Sequence, residues 1–230
     1  ISGYPHHPFK NMVNIMMLPS STSHRAWRHW LTPLLIASFS GLLASCNNQY
    51  DSGFKEQGLV YCSEGNPESF NPQHVTSGVA FDAGAHQVFN RLVEFEIGTT
   101  DIKPGLAEHW HISPDGKEYT FELRRNVQFH RVPDFTPSRP FNADDVLFSF
   151  NRQRYDDHPY HNVSNMRYHY YEITGMEELL FDVVAVDDYT VKFLLNRPNS
   201  SFLAILAMEF ASIFSAEYAS KMMSEGTPEQ

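Results

Sequence analysis

Between Trp110 and Phe129 apolar and polar residues alternate with the period-two rhythm of paired, half-buried strands. Trp110 and Ile112 have polar neighbours, and Tyr119, Phe121 and Leu123 alternate with Glu118, Thr120, Glu122 and Arg124. Pro114-Asp115-Gly116 separates the two runs: proline presets φ and glycine accepts a positive φ. A β-hairpin with one buried face is predicted. The rhythm then becomes helical. Asn142 is placed to cap a helix, Asp145 follows three residues on, and Asp144 and Asp145 favour the positive end of the helix dipole. Phe141 and Val146 stand where a hydrophobic staple would clamp the entry. Val146, Leu147 and Phe150 predict an inward face.

The same reading extends along the chain. Leu59-Val60-Tyr61-Cys62 predicts a short buried strand, and Asn66-Pro67 and Asn71-Pro72 punctuate the loop after it. Thr76-Ser77-Gly78 precedes a predicted helix carrying Phe81, Val88, Phe89, Leu92 and Val93. Residues 152–171 are polar and aromatic-rich. A second hairpin is predicted from Val183, Val184 and Val186, a turn at Asp187-Asp188, then Val191, Phe193 and Leu195. Ser200–Phe214 reads as an apolar helix, and Ser215 as the cap of another that carries Tyr218 and Met222. The chain ends in a loop, Gly226-Thr-Pro-Glu-Gln230, so it is expected to stop before its fold closes.

Composition narrows the class. Apolar residues make up 42% of the chain and aromatics 14%, enough for a real core. A net charge of −10 argues against nucleic acid as a partner, because phosphate recognition needs clustered Lys and Arg. Residues 1–45 contain Lys10, Arg25 and Arg28 but no acid, which points to a basic targeting segment on an acidic domain. Trp30–Leu43 is apolar but too short for a comfortable membrane span, and it ends at Leu43-Ala44-Ser45-Cys46. That tetrapeptide resembles the bacterial lipobox and predicts lipidation of Cys46. An uncleaved anchor, or an ordinary signal peptide with Cys46 unmodified, is the alternative. Residues 46–57 then form a tether and 58–230 the folded part. Asn47 replaces the aspartate of an inner-membrane retention signal and leaves an outer-membrane destination open.

Candidate chemistry is sparse. No His-Glu-x-x-His, Gly-x-Ser-x-Gly, phosphate loop or Cys-x-x-Cys occurs, so no catalytic site is expected. An exported hydrolase is the rival class. His109 and His111 would share a strand face, and His158 and His161 flank Tyr160, yet neither pair has a third ligand; no metal and no resident cofactor are expected. Asp144-Asp145 and Asp187-Asp188 are accounted for by a helix start and a turn.

Several landmarks in order resemble the solute-binding proteins of bacterial peptide importers, closest to the dipeptide- and haem-binding branch. They include Leu59-Val-Tyr-Cys-Ser-Glu-Gly65, Phe70-Asn-Pro-Gln73, Asn90-Arg-Leu-Val-Glu-Phe95 and Pro104-Gly-Leu-Ala-Glu-His-Trp110. Asp115-Gly-Lys-Glu-Tyr-Thr-Phe-Glu-Leu-Arg124, Phe141-Asn-Ala-Asp-Asp-Val146 and His158-Pro-Tyr-His-Asn-Val163 continue the likeness. The resemblance implies a two-lobed α/β periplasmic binding fold with a small inserted domain, of which this chain is the N-terminal part. It implies a monomer in the periplasm of a Gram-negative bacterium, working with an ABC permease and ATPase. The implied ligands are di- and oligopeptides, with haem as the alternative, and a peptide sensor or adhesin on the same fold is a third possibility. It further implies ligand contact at Thr76, Ser77 and Gly78, and a disulfide from Cys62 to a cysteine outside this chain. With one lobe only, Leu59, Val60 and the Phe202–Phe214 region are expected to expose apolar faces.

Overall fold

A computed structural model describes residues 62–228. The leader, Cys46, the tether and the Leu59–Tyr61 part of the expected strand lie outside those residues. Cys62 itself is exposed and sits in no strand.

A helical segment over 78–88, α1, comes first, followed by a small hairpin of β1 (Val93–Phe95) and β2 (Ile102–Pro104). Next are β3 (Ala107–Ile112), β4 (Glu118–Leu123) and α2 (Ala143–Arg154). Two short helices, α3 (His169–Ile173) and α4 (Met176–Leu179), lead into β5 (Leu180–Asp187) and β6 (Thr190–Leu195). Helix α5 (Phe202–Leu206), a 3-10 turn at Glu209–Ala211 and α6 (Ala216–Glu225) complete the described chain.

Both expected hairpins form, with Gly116 at φ 69° in the first turn. They join through β4 and β6 into one antiparallel sheet of order β3-β4-β6-β5. Tyr119 pairs with Phe193 and Phe121 with Val191, so the apolar residues of both strands share one face and are buried there. Phe150 of α2 meets Phe193 edge-on at 4.9 Å, and Phe202 of α5 packs on Tyr119 at 4.7 Å and Phe193 at 5.7 Å. Burying a side chain of this size stabilises the fold by about 1.5–3 kcal/mol. On the wetter face, Lys192 and Glu118 pair across strands at 3.1 Å.

Four expectations need correction. The first hairpin's ladder stops at Leu123, not Phe129, and its inward residues come from β4; on the edge strand β3, Trp110 is half-buried and Ile112 exposed. A register shift between Ala107 and His109 breaks that strand's alternation. The first helix ends at Val88, where Phe89 turns extended, and Val93 opens β1 in the core instead. Ser200–Phe214 is a five-residue helix and a 3-10 turn, not one helix. Nor does that stretch expose an apolar face: Phe202, Leu206, Phe210 and Ile213 are buried, because the sheet and α2 supply their cover.

The start of α2 is as its residues dictate. Asn142 Oδ1 accepts from Asp144 N at 3.0 Å, and Asp145 Oδ2 accepts from Asn142 N at 3.0 Å, a reciprocal capping box. The Asp145 carboxylate is fully buried and also receives Arg139 in a two-pronged pair (2.7 and 3.1 Å) and Ala216 N at 2.8 Å. Asp145→Ala would strand these donors, and we expect it to cost on the order of 3 kcal/mol of stability in chemical denaturation. A loss below about 1 kcal/mol, the worth of a surface pair, would show that this carboxylate is not a structural hub.

Candidate ligand-binding site

Thr76, Ser77 and Gly78 form the turn into α1, and they are held in place from behind. Gln73, buried just upstream, donates its Nε2 to Ser149 O at 3.0 Å and Ser212 O at 3.2 Å. The turn is thereby fastened to α2 and to the segment after the 3-10 turn. Thr76 and Gly78 are exposed, Ser77 half-buried, and a Cβ on Gly78 would meet open space. Ser77 Oγ accepts from Ala80 N at 3.3 Å as the helix cap. Helix α1 then widens into a π-turn at Phe81–Ala85 before ending.

Three of the turn's donors are already taken. Glu68 receives Thr76 N at 3.4 Å, Ser77 N at 3.3 Å and Ser77 Oγ at 2.5 Å. The Ser77 hydroxyl, ahead of the backbone groups, holds the Glu68 carboxyl below its ordinary range. The edge offered to a ligand is therefore a hydroxyl beside a negative charge. An ammonium or an N–H group matches it; a carboxylate does not.

Beside this turn lies an aromatic groove of about 660 Å³, walled by Phe70, Phe89, Phe129, Phe148, Phe214 and Tyr218 among others. Two polar residues line it from buried positions, Arg152 and His74. Arg152 stands one and two turns along α2 from Ser149 and Asp145, on the same face. Its guanidinium lies over Phe214 at 4.6 Å, with Phe148 and Tyr168 at 5.8 and 5.9 Å. Among the described residues it has no carboxylate within ion-pair distance, and its Nε has no hydrogen-bond partner. Burial pushes the guanidinium below its ordinary value, against the influence of Tyr168 and Tyr160. His74 meets Asn71 Nδ2 at 3.4 Å and Ser164 Oγ at 3.0 Å through Nδ1, and its Nε2 is buried without a partner.

The remaining sequence candidates are dispersed. His109 and His111 are exposed on β3. His161 Nδ1 meets Arg152 O at 2.8 Å, and His158 packs on Phe148 at 5.6 Å. Among the described residues no three His, Cys, Asp or Glu side chains gather as a metal site would require. Glu68, His74 and Arg152 were not singled out from sequence. The one signal available for Arg152 was its spacing of three and seven residues from Ser149 and Asp145, a polar stripe on a helix whose other face is apolar.

Burial, then the charges of Arg152 and His161, lower His74 from 6.5 to about 4. Its folded value lies below its unfolded one, so its contribution to stability is complete above pH 6.5 and declines as the pH falls towards 4. We expect the His74 ring resonances to titrate near pH 4 in NMR spectra; a midpoint near 6.5 would mean that the ring is open to water.

The chain is similar to known proteins. Residues 101–228 match the family described as bacterial extracellular solute-binding proteins, family 5 Middle. Over 172 residues the chain is 58% identical to a dipeptide-binding protein of Escherichia coli, covering 75% of this chain and 32% of that one. It is 52% identical to heme-binding protein A of Haemophilus influenzae, covering 74% and 31%. A dipeptide-binding protein of Pseudoalteromonas, solved in complex with Met-Leu, superposes with a TM-score of 0.71 at 45% identity, covering 75% and 34%. The chain thus spans about a third of the length of these relatives.

Proposed function

Because the chain belongs to the bacterial extracellular solute-binding proteins of family 5, we propose that it serves, as the N-terminal part of such a protein, in capturing di- and oligopeptides for an ABC importer. The observation that carries this reading is the 58% identity to a dipeptide-binding protein across the region that holds the Thr76–Gly78 turn. The turn, with Glu68 behind it, forms one wall of the ligand site and meets N–H or ammonium groups of the peptide. A second lobe supplies the other wall. Ligand enclosed between the two stabilises the closed state, and that state docks on the permease. No step of this cycle is catalytic. Haem is the second ligand reading, favoured by the 52% identity to heme-binding protein A.

A protein carrying both lobes is expected to bind di- and tripeptides stoichiometrically and to release no free amino acids; turnover would overturn the carrier role. The 58–230 part, with one wall, is expected to bind dipeptides more weakly than micromolar in calorimetric titration. Micromolar or tighter binding would show that it holds a complete site. Haemin added to the two-lobed protein separates the ligand classes, since a peptide carrier gives no Soret shift at stoichiometric protein.

The protein resides in the periplasm of a Gram-negative bacterium as a monomer, anchored by lipid on Cys46, with Cys62 bridged to a cysteine outside this chain. The basic, apolar leader ending in Leu43-Ala44-Ser45 supports the first assignment; the oxidising compartment supports the second. In exported full-length protein, Cys46→Ala should move the protein to the soluble fraction, and Cys62 should resist thiol labelling without reductant. Membrane retention of the variant, or ready labelling of Cys62, would refute the corresponding assignment.

A further inference from the structure

We propose that the aromatic groove is a binding site for an apolar monocarboxylate, whose carboxylate pairs with Arg152 and receives the unpartnered N–H of His74. The groove is distinct from the Thr76–Gly78 turn, since none of those three residues lines it. Its volume of about 660 Å³ falls within the range of roughly 300–1,000 Å³ common to small-molecule sites. Such sites join apolar walls to a few fixed polar groups, and that is the composition here.

The polar groups specify the charge of the ligand. Arg152 is only 5% exposed and carries a permanent positive charge with no counter-ion among the described residues. A buried cation in that state is costly, and the aromatic faces around it offset only part of the cost. An incoming carboxylate supplies both the missing negative charge and an acceptor for Nε. His74 adds a second donor: with Asn71 Nδ2 donating to Nδ1, the ring proton sits on the orphaned Nε2. One unpaired charge beside one neutral donor fits a monoanion. A dianionic phosphate would bring a surplus charge into a poorly solvated groove. The rings of Phe70, Phe89, Phe148 and Phe214 require the rest of the ligand to be apolar. The neighbouring turn, where Glu68 already occupies the donors, would repel the same carboxylate.

Calorimetric titration of the 230-residue chain with octanoate, octanol and acetate separates the two halves of the recognition. Octanoate should bind saturably at one site, and octanol and acetate should each bind about tenfold or more weakly. Arg152→Met keeps the stem and removes the charge, so it should bring octanoate down to the level of octanol. Arg152→Lys should keep part of the preference for the carboxylate. Circular dichroism checks that the variants fold; if Arg152→Met does not, the three-ligand comparison on the unaltered chain still decides. Equal binding of octanoate and octanol would remove Arg152 from the site, and equal binding of octanoate and acetate would remove the groove. Absence of saturable octanoate binding would overturn the proposal and leave the groove as a surface for further polypeptide.

Discussion

The buried carboxylate of Asp145 receives two bonds from Arg139, one from Asn142 N and one from Ala216 N, and so joins three stretches of chain at the start of α2. A carboxylate enclosed in this way tolerates little displacement, because each donor lost leaves a buried charge less compensated. The rotation of α2 about its own axis is set there. Once it is set, Phe150 and Val146 face the sheet, Ser149 and Gln153 are buried in hydrogen bonds, and Arg152 is buried against aromatic rings. Ser149 Oγ donates to Asp145 O and accepts from Phe214 N, and Ser149 O receives both Gln73 and Gln153. A polar seam therefore runs down one side of α2 and an aromatic one down the other.

That double burial positions both the turn and the groove. Gln73 belongs to the seam, and the residues just after it form the turn at Thr76–Gly78. Arg152 lies at the seam's far end, where the polar partners run out and aromatic rings begin. The segment 68–74 serves both places: Glu68 neutralises the donors of the turn, and Asn71 orients His74 towards the groove. An acidic edge and a cationic groove thus arise on adjacent backbone.

Close backbone approach adds a second fixed point. The N–H groups of Gly105 and Ala107 donate to Leu92 O, and that of Leu106 to Arg91 O. A Cβ on Gly105 would come within 2.4 Å of Arg91 O. No other residue type allows β1 and the entry to β3 to cross so tightly. The small hairpin is thereby locked to the larger sheet, beside the segment that carries Phe89 into the groove.

Much of this was written in local sequence. The two hairpins followed from period-two alternation and turn chemistry at Pro114-Asp115-Gly116 and Asp187-Asp188. The start of α2 followed from Asn142 and Asp145, and the start of α6 from Ser215, whose Oγ accepts from Tyr218 N. Each of these is decided within a few residues by φ preference, side-chain reach and dipole, so the chain alone suffices. Contacts between distant residues decided the rest. Pairing of β4 with β6 made one sheet of two hairpins, and its buried face gave Phe202–Phe210 cover that periodicity could not foresee. Helix α1 stopped at Val88, where Phe89 turns extended, and Val93 went into the core on β1. Glu68 reached Ser77 across nine residues, and Arg152 was left without a counter-ion, by the same kind of event. Sequence names the charges; whether a charge meets a partner depends on which surfaces the fold brings together, and the cost of leaving one unmet appears only when water has been removed.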